Sequence, residues 1–518
     1  MRNWLRLNAP LVMALVWAPT VFAANAVVAP LPEPKGPSIY LQCDGLPKID
    51  SAAKSVARSL VLLATLTVVG RQELADVSKR LEGQPGVDAC GAAIADESDP
   101  GRKVRLTLFR AIHHIEAKDF DAALVDARSI GSVAGPLAQD MGYKHSLMIS
   151  GLEIEAASLT RLGRPAEAVA AALKMAAAAP YDVVSQVRAG RFVNLTSEIS
   201  PEKARFLDRL GRLAPGQLGA LAMARAMAGD FKTAALDDEA RLDINEASAV
   251  AKPTALPDWL ARASVEWALA GDLAKSAARA QSARAMLDVM NQDGSAANNA
   301  QSVTFAEDLL DLQVIAVQAA QGQVAQARTG FLARGHWPKT AAALTIEIAA
   351  RLRGGANAEQ SGTALARDPT VLREEAATAV ARGMLADPKA GEWLYGAIRP
   401  LMSVSDFSLW THGVWRADKS PYLQKKPAKP TSVGDYVLLQ NYGYANYASI
   451  EALVLHCALL TRAQGKAVFV LGTDRSFNGT MLRYGEAGAP GFPSVAVLDV
   501  KTVIEALSEE FPDPKSKP

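Results

Sequence analysis

The sequence predicts a mostly α-helical fold, a long run of irregular helical hairpins followed by a small α+β C-terminal module. Three observations predict it. Alanine dominates while aromatics make up only 6% of the chain, the profile of closely packed helices and not of sheets. Tight turns recur between helical stretches from about Lys103 onward. Only beyond about residue 435 do short apolar runs between glycine-rich loops replace the helical period. At 518 residues the chain exceeds what one core can bury, so several domains or an extended stack is expected.

Residues 1–23 read as a signal peptide. Arg2 and Arg6 supply a basic start, an apolar stretch from Ala9 to Val21 follows, and Ala23 and Ala26 offer small residues for cleavage. Pro10 and Pro19 bracket an apolar segment shorter than the roughly 20 residues a membrane span needs. Cleavage is expected to leave no integral membrane segment, and the product is expected in the periplasm or secreted. Losing Arg2 and Arg6 takes the formal charge from +1 to −1, which argues against a nucleic-acid partner. Residues 24–38, with Pro30, Pro32, Pro34 and Pro37, read as an extended tether.

The helical body is expected over residues 39–416. Asp50 to Leu74 has a helical pattern, with Leu60 to Val69 as its buried stretch. Gly83 to Gly101, rich in Gly, Pro and Asp, reads as a loop containing Cys90. In an oxidising compartment Cys43 and Cys90 are candidates for a disulfide across this segment, leaving Cys457 unpaired. Cys457 shares a helical stripe with Ile450, Leu453, Val454 and Leu460. A buried, inert thiol and a reactive one are both open readings.

From Lys103 the turns are Lys118-Asp119-Phe120, Gly163-Arg164-Pro165, Gly229-Asp230-Phe231, Gly271-Asp272-Leu273 and Gly322-Gln323-Val324. Three residues after each comes a small side chain, at Ala123, Ala168, Ala234, Ser276 and Ala327. A small residue there lets the second helix approach the first. In Leu152 to Pro180, Ala156, Gly163, Ala168 and Pro180 occupy small, turn, small and terminating positions. Leu260, Ser264, Trp267, Gly271 and Leu273 repeat part of the pattern. In these residues, over about Lys103 to Trp337, the chain resembles the tetratricopeptide (TPR) repeats, without their full aromatic set or regular period. The resemblance implies a degenerate TPR-like α-solenoid. Ordinary αα-hairpins in a helical domain remain the plainer alternative.

Helical patterns continue from Lys339 to about Trp415, where Pro369 and Pro388 suit first-turn positions after Asp368 and Asp387. Residues 417–434, with Lys419, Lys425, Lys426 and Lys429 among Pro421, Pro427 and Pro430, read as a basic linker. Within the module at 435–514, Tyr447 to Arg462 reads as a helix. Strands are expected at Ala467 to Leu471, Thr480 to Tyr484 and Ser494 to Leu498, then a helix at Val500 to Phe511.

No catalytic, metal or cofactor constellation emerges from these residue types. His113-His114 with Glu116 has the spacing of a partial metal site, but no convergent third or fourth ligand is evident, and packing between helices is the alternative. Adjacent His456 and Cys457 diverge around their helix and cannot act as a nucleophile and base pair. Gly472-Thr473-Asp474-Arg475 lacks the glycine spacing and lysine of a phosphate-binding loop. The body plan resembles soluble lytic transglycosylases, whose Glu-Ser and Gly-Leu-Met-Gln motifs are missing here. Ten aromatics fall between Trp393 and Tyr447. Among them Trp410, Trp415, Tyr442, Tyr444 and Tyr447 offer a recognition surface for peptide or glycan, or the glue of a domain junction.

The expectation is therefore an exported helical-repeat scaffold that binds a protein or peptide partner in the cell envelope. The alternatives are a hydrolase whose Asp406, His412, Asp435, Asp474 and Arg475 converge near the C-terminal module, and a glycan-binding protein without catalysis.

Overall fold

A computed structural model describes residues 36–48, 74–247, 256–353, 363–386, 390–402, 414–415, 437–440, 448–473 and 479–513. Residues 39–518 belong to one unit. The described part of that unit is mostly helical, with a small antiparallel sheet near the C-terminus. The expected signal peptide, the 417–434 linker and the helical stretch from Asp50 fall largely or wholly outside the described residues. Among the described residues no helix is long and apolar enough to cross a membrane.

Helix α1 (Ile39–Asp44) leads to α2 (Gly83–Asp96), and Cys43 and Cys90 join them in a disulfide. Helix α2 corrects the expectation of a loop at Gly83 to Gly101. Pro85 sits in its first turn, where backbone N–H groups have no intrahelical partner anyway. Gly86 is there for contact, since a Cβ on it would lie 2.5 Å from the imidazole of His113 on the next helix.

Five hairpins follow. They are α3 (Pro100–Glu116) with α4 (Phe120–Ala134), then, after the short α5 (Met141–Lys144), α6 (Leu147–Arg161) with α7 (Pro165–Ala178). Beyond α8 (Val183–Val193) and α9 (Pro201–Leu213) come α10 (Leu218–Met227) with α11 (Phe231–Ala247), and α12 (Pro257–Leu269) with α13 (Leu273–Gln292). The fifth is α14 (Ala300–Ala320) with α15 (Val324–Ala333).

Each turn reverses the chain through one left-handed residue: Gly163, Gly229, Gly271, Gly322 and, in the first hairpin, Lys118 at φ 64°. Asp119, Asp230 and Asp272 then cap the second helix by accepting from the backbone N–H three residues on. Ala123, Ala168, Ala234, Ser276 and Ala327 are all 0% exposed. That is the close helix contact for which a small side chain is needed.

Helices α16 (Ala342–Leu352), α17 (Pro369–Ala386) and α18 (Ala390–Tyr395) complete the helical part. Helix α18 returns to α3, where Tyr395 stacks on Phe109 and Trp393 meets Phe192 of α8. One apolar core runs from α1 to α11, taking in α18, and a second from α10 to α16.

In the C-terminal module, β1 (Val437–Gln440), β2 (Val468–Thr473), β3 (Gly479–Gly485) and β4 (Leu498–Asp499) form an antiparallel sheet in the order β1-β3-β2-β4. Helix α19 (Ala448–Ala463) packs on β2, and α20 (Val500–Ser508) packs on α19. Of the strand expected at Ser494 to Leu498 only Leu498 is a strand residue, paired as the first residue of β4. Ala496 and Val497 are buried as an apolar run should be. The Val497 carbonyl, however, accepts from Arg212 of α9, and Ala496 N–H closes a turn onto Pro493. Strand β1 lies where no strand was expected. Leu213 of α9 belongs to the module's own core beside Leu453, Phe469 and Phe511. The described part of the module is therefore seated on the helical body.

Candidate functional site

The residues named as candidates from sequence have varied fates. His113 is wholly buried, its Nε2 2.8 Å from the Cys43 carbonyl and its Nδ1 3.0 Å from Glu116 Oε2. Tyr395 hydroxyl donates to Glu116 Oε1 at 2.7 Å, and Gly83 N–H donates to Glu116 Oε2 at 2.9 Å. This network clamps α1, α2 and α18 onto α3. Burial, the Glu116 bond and its charge together push the Tyr395 phenol well above its ordinary range.

His456 is buried with Nδ1 3.1 Å from the Val414 carbonyl, and Cys457 is fully buried, with its thiol pushed up by burial. Trp415 turns inward, donating its indole N–H to the Phe511 carbonyl at 2.7 Å. Trp410, Tyr442, Tyr444 and Tyr447 lie outside the described residues, as do Asp406, His412, Asp435, Asp474 and Arg475.

A groove of about 560 Å³ runs between α7 and α9. Its origin is local. On α7, Ala166, Ala170 and Ala177 line one helix face with Val169 and Leu173. Three alanines there leave the face low. Phe206 of α9 closes the floor, and the turn through Thr196 and Glu198 closes one end. Ala170 and Ala177 are exposed, and Phe206 is 1% exposed.

Charge is asymmetric around this floor, with Lys174, Lys203, Arg205 and Arg209 facing Glu198 and Glu202. The Lys203 ammonium donates to the Thr196 carbonyl at 2.7 Å, and burial pushes it down to about 8 against the opposing pull of Glu198. Arg209 donates to Gln186 Oε1 and to the Ala176 carbonyl, each at 3.2 Å, so it stands preset at the groove wall. Arg205 is paired only with Glu202, at 3.3 Å on the surface, where such a pair is worth little. An apolar trough with fixed cations suits an extended segment that carries apolar and acidic groups.

A second polar concentration lies where the terminal module meets the body. His145, in the turn between α5 and α6, faces Glu451 of α19 and Glu510 just beyond α20. Burial opposes charge on the imidazole, but Glu451 and Glu510 outweigh it, so His145 is held above its ordinary range. Burial lifts Glu510 to about 7. Beside them Arg399 donates to Asp182 at 2.6 Å, to Ser185 Oγ at 2.6 Å and to the His145 carbonyl at 3.2 Å. Sequence reading missed both places. A row of alanines on α7 reads as packing, and residues 145, 451 and 510 share no spacing motif.

No family model, curated protein or solved structure matches the chain.

Proposed function

We propose that this chain is an exported scaffold of the cell envelope that holds an extended, acid-bearing peptide segment of a partner protein in the groove between α7 and α9. The observation that carries the reading is the groove itself, an apolar trough between two helices with four cationic side chains against two carboxylates. Helical faces of this kind recognise extended partners through spaced apolar anchors, with the charges setting register. The leader-like residues 1–23 and the Cys43–Cys90 disulfide support export, because such bonds persist in oxidising compartments.

The test uses small residues whose replacement fills the groove without touching a core. Ala170→Glu with Ala177→Glu places two carboxylates in the trough. The full chain and this double variant are used as baits in envelope extract, with circular dichroism to verify that both fold. The expected result is a partner retained by the wild type, weakened by salt, and lost from the folded variant. A partner held equally by both, or none held by either, would overturn the assignment of the groove.

A further inference from the structure

The third and fourth hairpins meet where α11 packs on α12, and their contact buries acids. Glu266 of α12 is 0% exposed, and Asp237 and Asp238 of α11 are each 1% exposed. Asp238 accepts from Nε and Nη2 of Arg262, the former at 2.6 Å. Neither oxygen of Glu266 accepts a hydrogen bond from a described donor, and Arg262 Nε, already given to Asp238, stands 3.9 Å away. The Glu266 carboxyl is instead within hydrogen-bonding reach of Asp238. Two carboxylates in contact have no donor between them unless one is protonated. We propose that Glu266 keeps a proton and donates it to Asp238, and that this shared proton latches α11 to α12, the contact loosening when the proton is lost to solvent.

An ionised Glu266 would find no cation of its own, because those on the helices packed around it are committed. Arg225 of α10 faces Asp237 at 3.2 Å and donates to Asp208 at 2.7 Å. Arg241 of α11 lies over the Trp259 ring, 3.2 Å from its centroid. On α13, Arg279 is held by Glu239 at 2.7 Å, and Lys275 sits over the Trp267 ring at 4.0 Å. Arg351 of α16 donates to the Leu269 carbonyl at 2.7 Å. From α14 comes Ser302, which donates to Asp258 on α12, while Asp308 is paired with Arg334.

A fully buried carboxylate left in that state is costly. Burial, and then the charge of Asp238, hold the Glu266 carboxyl well above its ordinary range against the pull of Arg262. Its folded value is above its unfolded one, so the latch is at full strength in acid and is lost as pH rises. The proton belongs to Glu266 and not to Asp238, since Arg262 already neutralises Asp238.

The full chain is followed by hydrogen exchange and mass spectrometry from acidic to alkaline pH, with rates corrected for intrinsic exchange. Asp237→Asn is the background, which removes the titration of the neighbouring acid. In that background the opening constants of α11 and α12 peptides should rise about tenfold per pH unit above the ordinary carboxyl range. The hairpin of α3 and α4 should show no such rise. Adding Glu266→Gln supplies an amide N–H to Asp238 in place of the proton, and should leave α11 and α12 protected at every pH. A flat profile in Asp237→Asn, or the same rise after Glu266→Gln is added, would overturn the latch. If the double variant does not fold, the protonated-carboxyl infrared band of Asp237→Asn decides. One group should then ionise above Glu510, which stands at about 7, and no such group would overturn the proposal.

Discussion

In the hairpins, each turn supplies its own left-handed residue, and a small residue three places later lets the helices touch. At the seat of the terminal module the anchoring side chains come from positions 145, 182, 399, 451 and 510, and they are charged. The hairpins repeat one local solution, so losing one part costs one part. The seat joins distant segments through mutually dependent charges, where removing one group strands its partners. Assembly between sequence neighbours tolerates the irregular spacing of these hairpins, and non-local, polar assembly fixes one arrangement.

That contrast breaks most sharply at Arg399. Arg399→Met leaves Asp182 buried without its cation, and a loss of about 3–5 kcal/mol is expected in denaturant unfolding. A loss below about 1 kcal/mol would make the seat no different from a surface ion pair. Replacing Cys43 and Cys90 together by alanine removes the one covalent constraint among the described residues, across 47 positions. It should cost about 3 kcal/mol, measurable as a lower melting temperature that matches the reduced wild type.

The hairpin region has buried acidic side chains of its own, Glu153, Asp237, Asp238 and Glu266 among them, and Asp237 sharpens the comparison through pH. Asp237 on α11 is 1% exposed beside Arg225 at 3.2 Å. Burial outweighs the arginine and pushes the carboxyl up to about 7. Its folded value is above its unfolded one, so its contribution is fully present at low pH and is lost as pH rises from about 4 through 7. Stability of the wild type should fall across that window relative to that of Asp237→Asn. Asp237→Asn should flatten the fall by roughly 2 kcal/mol, and an unchanged slope would show that Asp237 is ionised throughout.

The smallest effect is expected at Lys118, the non-glycine residue that takes the left-handed turn position among the described residues. Lys118→Gly removes a strain of about 1 kcal/mol, part of which returns as unfolded-chain entropy. A rise in stability below about 1 kcal/mol is expected, and a decrease would mean that the lysine side chain contributes to the turn.

The same division explains what the sequence disclosed. Hairpin turns were legible because Gly163, Gly229 and Gly271 mark a left-handed position, and Ala168, Ala234 and Ser276 stand at fixed distance from it. Strands β2 and β3 were legible for similarly local reasons. Helix α2 was misread because Gly86 has a breaker's identity but serves a contact with His113, 27 residues away in a helix whose approach no spacing rule reveals. The strand at Ser494 was misread because apolar burial was taken to mean ladder pairing, while Arg212 takes the Val497 carbonyl. His145 met Glu451 and Glu510 only through folding, and no pattern in the chain foreshadows a contact across 306 positions.

The proposed role of the α7–α9 groove is tested most directly by site-specific photocrosslinking in intact cells. A photoreactive residue is placed at Ala177, on the groove floor, and in a second strain at Val289, 58% exposed on α13. A discrete adduct formed from position 177 and missing from position 289, and competed by the unlabelled chain, is the predicted result. Position 177 without an adduct, or the same adduct from both positions, would contradict a partner held in this groove.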